Sequence, residues 1–234
     1  MKFVDIGIAK VDVDRVNRKG FPEVIYGKSK SAKQIKAIID VLLLKNEAVL
    51  VTDVSPKKYF LLKKCFNDLD YNKNAKTLMT GPDNPKLKKG KVLVICGGTS
   101  DINIAWESIN VLKWMGVNTS YIFDVGVAGL DRLLTYKDKL READVIIAIA
   151  GMEGALPTVV SGLVESPVIA VPTSIGYGAN LQGITTMLSM LTSCSSGVTV
   201  TNINNGFGAA YQAALIIKRM NVYEENEENN DNEK

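Results

Sequence analysis

From Gly90 onward the chain alternates short apolar runs with helical segments, and nothing else in the sequence restricts its fold as strongly. Strands are expected over 92–96, 118–123, 145–150, 168–171 and 198–200, and helices over 102–115, 130–134, 156–162, 181–191 and 206–220. The run 145–150 is apolar throughout, so as a strand it has no polar face to turn to water and must be covered on both sides. Helices between such strands imply βα units and a parallel sheet. The expected fold is α/β, a three-layer αβα sandwich around a flavodoxin-like parallel sheet. Sheets of that kind bind their ligands beyond the carboxyl ends of their strands.

Residues 1–85 read as a separate, smaller α/β region. Ser31 is a candidate N-cap for a helix running to Leu44, with Ile35, Ile38, Ile39 and Leu42 on one face. A polar helix is expected over 12–18, an extended segment over 20–27, strands over 48–52 and 77–80, and a helix over 56–66 opened by Pro56. The run Gly81-Pro82-Asp83-Asn84-Pro85 reads as a linker. The second domain is expected over 86–222. Residues 223–234 carry six acidic side chains against one lysine, and are expected to form a disordered acidic tail.

Composition removes whole classes of chemistry. The chain has no histidine, so nucleophile–histidine pairs, histidine metal sites and histidine proton shuttles are excluded. Its three cysteines, Cys65, Cys96 and Cys194, form no CxxC pattern. Neither a zinc site nor a disulfide framework is expected, and no metal ligand is assigned. Reduced thiols, the lack of a signal-peptide pattern at the start and the lack of an apolar run of membrane-spanning length lead to the expectation of a soluble cytoplasmic protein. Without its acidic tail the chain is distinctly basic, which suits an anionic small molecule. A nucleic-acid surface needs a clustered basic and aromatic stripe, and none is visible.

Four polar, glycine-rich loops are expected to converge on one edge of the sheet. Gly97-Gly98-Thr99-Ser100-Asp101 opens a helix after the first strand, a place suited to phosphate binding; Asp101 is also a candidate N-cap. Asp124, after the second strand, is read either as a ribose or metal contact or as a helix cap. Ser174, Gly176, Tyr177 and Gly178 lie in a loop long for a βα connection, which favours a binding role. Asn205 lies in the loop that closes the last strand.

The run Gly151-Met152-Glu153-Gly154-Ala155-Leu156-Pro157 follows strand 145–150 and brings an acid to the same edge. Its position at the end of a buried strand favours partial desolvation and a raised carboxyl pKa. Cys194 follows a helical segment and is a second candidate for that crevice. A thiol and a carboxylate together suit covalent and acid–base chemistry. The plainer readings are a helix cap for Glu153 and a small buried hydrophobe for Cys194.

The blocks Gly98-Thr99-Ser100-Asp101, 151–157, 167–172 and 205–210 resemble, in order, the PurE-type aminoimidazole ribonucleotide (AIR) carboxylases. Those enzymes use a histidine for acid–base work, which this chain lacks. Four further features resemble the LarB family of nickel-pincer cofactor biosynthesis. They are the run 18–27 (Arg-Lys-Gly-Phe-Pro-Glu-Val-Ile-Tyr-Gly), the run 151–160, Ser174-Ile175-Gly176-Tyr177-Gly178, and the dipeptide Ser193-Cys194. This resemblance spans nearly the whole chain outside the tail. It implies a pyridinium-3,5-biscarboxylic acid mononucleotide synthase, which carboxylates nicotinic acid adenine dinucleotide and hydrolyses its phosphoanhydride to release AMP. Carried over, Cys194 is the nucleophile and Glu153 the general base. Gly98, Thr99, Ser100, Asp101, Asp124, Gly151, Met152, Gly154, Ser174, Gly176, Tyr177, Gly178 and Asn205 form the substrate site. The resemblance further implies CO2 or bicarbonate as co-substrate, no tightly bound cofactor, Mg2+ as an optional ion, and a homo-octamer.

Overall fold

The computed structural model describes residues 2–232, with side chains to Val222. The chain divides into two compact units, 1–85 and 86–234.

In the first unit a short antiparallel pair, β1 (Phe3–Asp5) and β2 (Lys10–Asp12), precedes α1 (Arg15–Lys19). A four-stranded sheet follows in the order β3 (Val24–Tyr26), β4 (Val49–Thr52), β6 (Thr77–Thr80), β5 (Asp70–Asn72). β3 and β4 are parallel, and the other pairings are antiparallel. Helix α2 (Ala32–Leu44) starts where its sequence directs: Ser31 Oγ accepts from the Gln34 amide while the Gln34 side chain accepts from the Ser31 amide. Ile35, Ile38, Ile39 and Leu42 are buried, as their spacing predicts. Helix α3 (Pro56–Leu62) stops short of the expected 66, and the polar helix expected over 12–18 gives its first residue to β2.

The second unit is a five-stranded parallel sheet in the order β11 (Val198–Val200), β10 (Val168–Pro172), β9 (Val145–Ala150), β7 (Lys91–Cys96), β8 (Asn118–Ile122). All four pairings are parallel. Counted in chain order this is 2-1-3-4-5, the flavodoxin-like winding. Helices α4 (Ile102–Trp114) and α9 (Gly206–Asn232) pack on one face of the sheet. The other face buries Leu93, Ile95, Ile146, Ala148 and Ala170 beneath α5 (Leu130–Leu134), α6 (Lys137–Arg141), α7 (Leu156–Ser161) and α8 (Ile184–Leu191). Every residue of β9 and β10 is buried, which is why neither strand shows polar alternation. The small buried side chains Ala209, Ala210, Ala213 and Ala214 let α9 lie close to its neighbours.

Two expectations are corrected here. The helix expected over 181–191 begins at Ile184, because Leu181 and Gln182 take left-handed backbone angles, φ 49° and 57°. The stretch expected to be a disordered tail continues α9 as far as Asn232, the rest lying outside the described residues. Extending a formed helix costs far less than starting one, and glutamate is a good helix former. Among the described residues no helix is long and apolar enough to cross a membrane.

Candidate active site

The winding reverses between β7 and β9, and a crevice opens at such a point beyond the carboxyl ends of the strands. Loop 97–101 leaves β7 and loop 151–154 leaves β9, so the two flank this switch point. They are tied at the base, the Gly97 amide donating to Ile149 O at 2.9 Å. Loop 124–129 closes over the first of them. The Val125 amide donates to Cys96 O at 3.1 Å, and a Cβ on Gly126 would lie 2.6 Å from Gly97 O, so only glycine permits that approach.

Asp101 is the buried acid of the crevice, 4% exposed. Its Oδ1 accepts from Thr173 Oγ1 at 2.7 Å and its Oδ2 from the Gly98 amide at 3.2 Å. Burial raises its carboxyl above the ordinary 3.8, and the two hydrogen bonds oppose that rise. A carboxyl whose folded value is raised contributes stability fully below 3.8, and that contribution is lost as pH rises through the folded value. Asp101→Asn is therefore expected to flatten this acid-range fall in melting temperature. Identical profiles for variant and wild type would assign the slope to another group. Beneath the loop, the fully buried Cys96 thiol donates to Gly98 O at 3.5 Å, and burial pushes its pKa up to about 11. It stays a neutral thiol at physiological pH and is no nucleophile.

The Glu153 loop is clamped from behind. Met152 and Gly154 both have left-handed backbone, φ 53° and 69°. The Met152 amide donates to Ile175 O at 2.8 Å, and Met152 O accepts from Asn180 Nδ2 at 3.0 Å and Thr186 Oγ1 at 2.5 Å. Asn180 Oδ1 accepts from the Gly183 amide at 2.7 Å, and Asn180 is itself 8% exposed. A Cβ on Gly151 would collide with Ile175 O, and one on Gly154 would lie 3.1 Å from Met190 and Thr186. Asn180→Ala removes these bonds from a buried position and is expected to cost about 1–3 kcal/mol of stability. Thermal denaturation measures this, and an unchanged melting temperature would refute the clamp.

Glu153 is exposed, contrary to the expected desolvation. The left-handed turn directs it outward while Leu156 and Pro157 carry the burial. Thr99 and Ser100 are exposed on a single turn of 3₁₀ helix. Asp124, at φ 58°, pairs with Arg132 Nη1 at 2.8 Å, with both side chains about half exposed. The Ser174 amide donates to Asn204 Oδ1 at 2.9 Å, and Asn204 Nδ2 donates to Ser174 Oγ at 2.9 Å. Gly176, Tyr177 and Gly178 form the exposed tip of their loop. Asn205 caps α9, its Oδ1 accepting from the Gly208 amide at 2.8 Å. Among the described residues no three acidic or cysteine side chains are grouped to hold a metal ion.

Cys194 is exposed, not buried. It follows α8 and precedes β11, in a connection returning to the amino ends of the strands. Ser193 Oγ lies 2.8 Å from Thr158 Oγ1, and Ser161 Oγ donates to Ser196 O at 2.6 Å. The segment around Cys194 is thus tied to α7, and Glu153 lies in the loop just before that helix.

Thr173, Asn180, Thr186 and Asn204 hold the rim, and the sequence singled out none of them as a site residue. Their signal was faint: polar residues at the ends of a glycine-rich loop and in the helix after it.

A 2-1-3-4-5 parallel sheet with glycine-rich loops around its switch point defines a flavodoxin-like α/β protein. The comparisons with known proteins narrow the class. Residues 3–82 match the LarB/PurE-like N-terminal domain and residues 91–233 match AIR carboxylase. An uncharacterized protein of Methanocaldococcus jannaschii is 44% identical over 222 residues, 90% of this chain and 84% of that one. The N5-carboxyaminoimidazole ribonucleotide mutase of the same organism is 38% identical over 131 residues, 54% of this chain and 78% of that one. Treponema denticola PurE, a solved structure, is 19% identical with a TM-score of 0.43, over 61% of this chain and 98% of that one. The chain belongs to the LarB family, in which a PurE-like AIR carboxylase domain follows a LarB-type N-terminal domain. It is a carboxylase-type enzyme.

Proposed function

We propose that the enzyme carboxylates the pyridinium ring of nicotinic acid adenine dinucleotide and hydrolyses its phosphoanhydride, releasing AMP and pyridinium-3,5-biscarboxylic acid mononucleotide. The observation that carries this reading is the absence of histidine from a chain that retains the LarB motifs, Glu153 and Cys194 included. Purine carboxylation in the related enzymes runs through a histidine. Ring carboxylation by a thiol and a carboxylate does not need one.

A pyridinium ring is too electron-poor to attack CO2. The Cys194 thiolate adds to the carbon para to the nitrogen, and the displaced electron pair moves to the nitrogen, leaving an enamine. The neighbouring ring carbon then forms the new bond to CO2. Glu153 takes the proton from that carbon, and the released pair expels the thiolate and restores the aromatic ring. One inaccessible step becomes several accessible ones. Water consumed at the phosphoanhydride accounts for AMP. In this reading loop 97–101 holds phosphate at the start of α4, with CO2 or bicarbonate as co-substrate and no resident cofactor.

In this reading the thiol reaches the Glu153 loop from a second copy of the chain, and the active form is a homo-oligomer. The exposed stripe Ile184, Leu188 and Leu191 on α8, just before Cys194, supports this, being 46%, 54% and 60% exposed and spaced for one helix face.

Incubation with the dinucleotide, bicarbonate and Mg2+, followed by mass spectrometry, is expected to give AMP and the dicarboxylated mononucleotide. Turnover of aminoimidazole ribonucleotide in a parallel reaction, with none of the dinucleotide, would overturn the reading in favour of purine chemistry.

A further inference from the structure

Trp106, Tyr121 and Phe123 form an aromatic cluster that the chemistry above leaves unused. Tyr121 and Phe123 lie two residues apart, on and just past the edge strand β8, and stack at 4.8 Å with 22° between their planes. Trp106, from the second turn of α4, meets them at 5.4 Å and 5.7 Å. A cluster serving only the core would be buried, yet Tyr121 is 46% exposed. Among the described residues β8 has β7 as its sole neighbour in the sheet, so the rings stand at an open flank.

The position of the cluster indicates its occupant. Phe123 is followed directly by Asp124, whose loop closes on Gly97. The sheet order runs β9, β7, β8, so the Glu153 loop, the 97–101 loop and the aromatic flank follow one another on adjacent strands. Two strand spacings are about 10 Å. An extended dinucleotide can reach across that distance, with its reacting ring beyond β9, its phosphates over the 97–101 loop and its second base at β8. Stacking on aromatic side chains is the common way to hold a base without reading its edges.

We infer that Trp106, Tyr121 and Phe123 form the platform on which the purine base of the dinucleotide stacks. The inference rests on the dinucleotide reading above, and binding of AMP alone tests it without any turnover.

Titration of the full-length protein with AMP, followed by intrinsic fluorescence, is expected to quench Trp106, and the quenching is expected to vanish in Trp106→Phe because Trp114 is buried. By calorimetry Tyr121→Ala is expected to weaken AMP about 5- to 100-fold, the range for one lost base stack. Tyr121→Phe keeps a ring and is expected to restore most of that affinity. Nicotinic acid mononucleotide, which lacks the purine, is expected to bind Tyr121→Ala as it binds wild type. Equal AMP affinity in Tyr121→Ala and wild type overturns the platform. So does a change in oligomer mass in Tyr121→Ala without a change in AMP affinity, which would assign the flank to a second copy of the chain. Dinucleotide turnover with an unaltered AMP constant in Tyr121→Ala removes the platform and leaves the function standing. AMP stacking without dinucleotide turnover does the reverse.

Discussion

Cys194→Ser is expected to abolish carboxylation of the pyridinium ring, with a loss of at least ~10³-fold, because a hydroxyl is far less ionised than a thiol at neutral pH and forms no adduct. Cys65→Ser is expected to be neutral, since Cys65 is exposed in the first unit. Cys96→Ser is expected to affect stability and not chemistry, since Cys96 is buried. Full activity in Cys194→Ser would end the covalent mechanism. The contacts that tie the Cys194 segment to α7 lead to a second measurement. If the thiol comes from one copy and Glu153 from another, co-refolding inactive Cys194→Ser with inactive Glu153→Gln brings an intact thiol and an intact carboxylate together. Random mixing regenerates about a quarter of the sites. A mixture as inactive as its parents would mean that both groups act within one chain.

Glu153→Gln is expected to lower turnover on the order of 100- to 10,000-fold, the usual contribution of a general base. Glutamine keeps the shape and cannot take the proton. Thiol addition needs only Cys194, so the variant is expected to bind the dinucleotide and hold it as an adduct, visible as added mass on the intact protein. Near wild-type turnover would move the acid–base role elsewhere, with Asp101 and Asp124 next in line. Asp101 has the geometry for it: it faces the switch point, is buried, and its carboxyl is raised by that burial.

Much of this architecture was legible in the residues. A strand such as 145–150 is written as an unbroken apolar run, because its neighbours on both faces must be apolar too. Ser31 and Gln34 specify the start of α2 through bonds made within four residues. The glycines at 126, 151 and 154 mark where the backbone turns sharply or lies close to another loop. The missing histidine alone set limits on the chemistry.

What the sequence determined by itself was local: where strands and helices run, which loops end at the same edge, and which reactive groups exist. The tertiary structure decided which of them meet. Strand order is set by crossovers between distant segments, and only that order puts the Asp101 and Glu153 loops on either side of the switch point. Burial is a property of the packed fold, so the polar-looking Asp101 is enclosed while the glycine-flanked Glu153 faces solvent. Cys194 reads in sequence as the partner of Glu153, and it is packing that ties its segment to α7, the helix that follows the Glu153 loop. A pattern in sequence records what each segment needs from its immediate surroundings. Which distant residues supply those surroundings is fixed by packing.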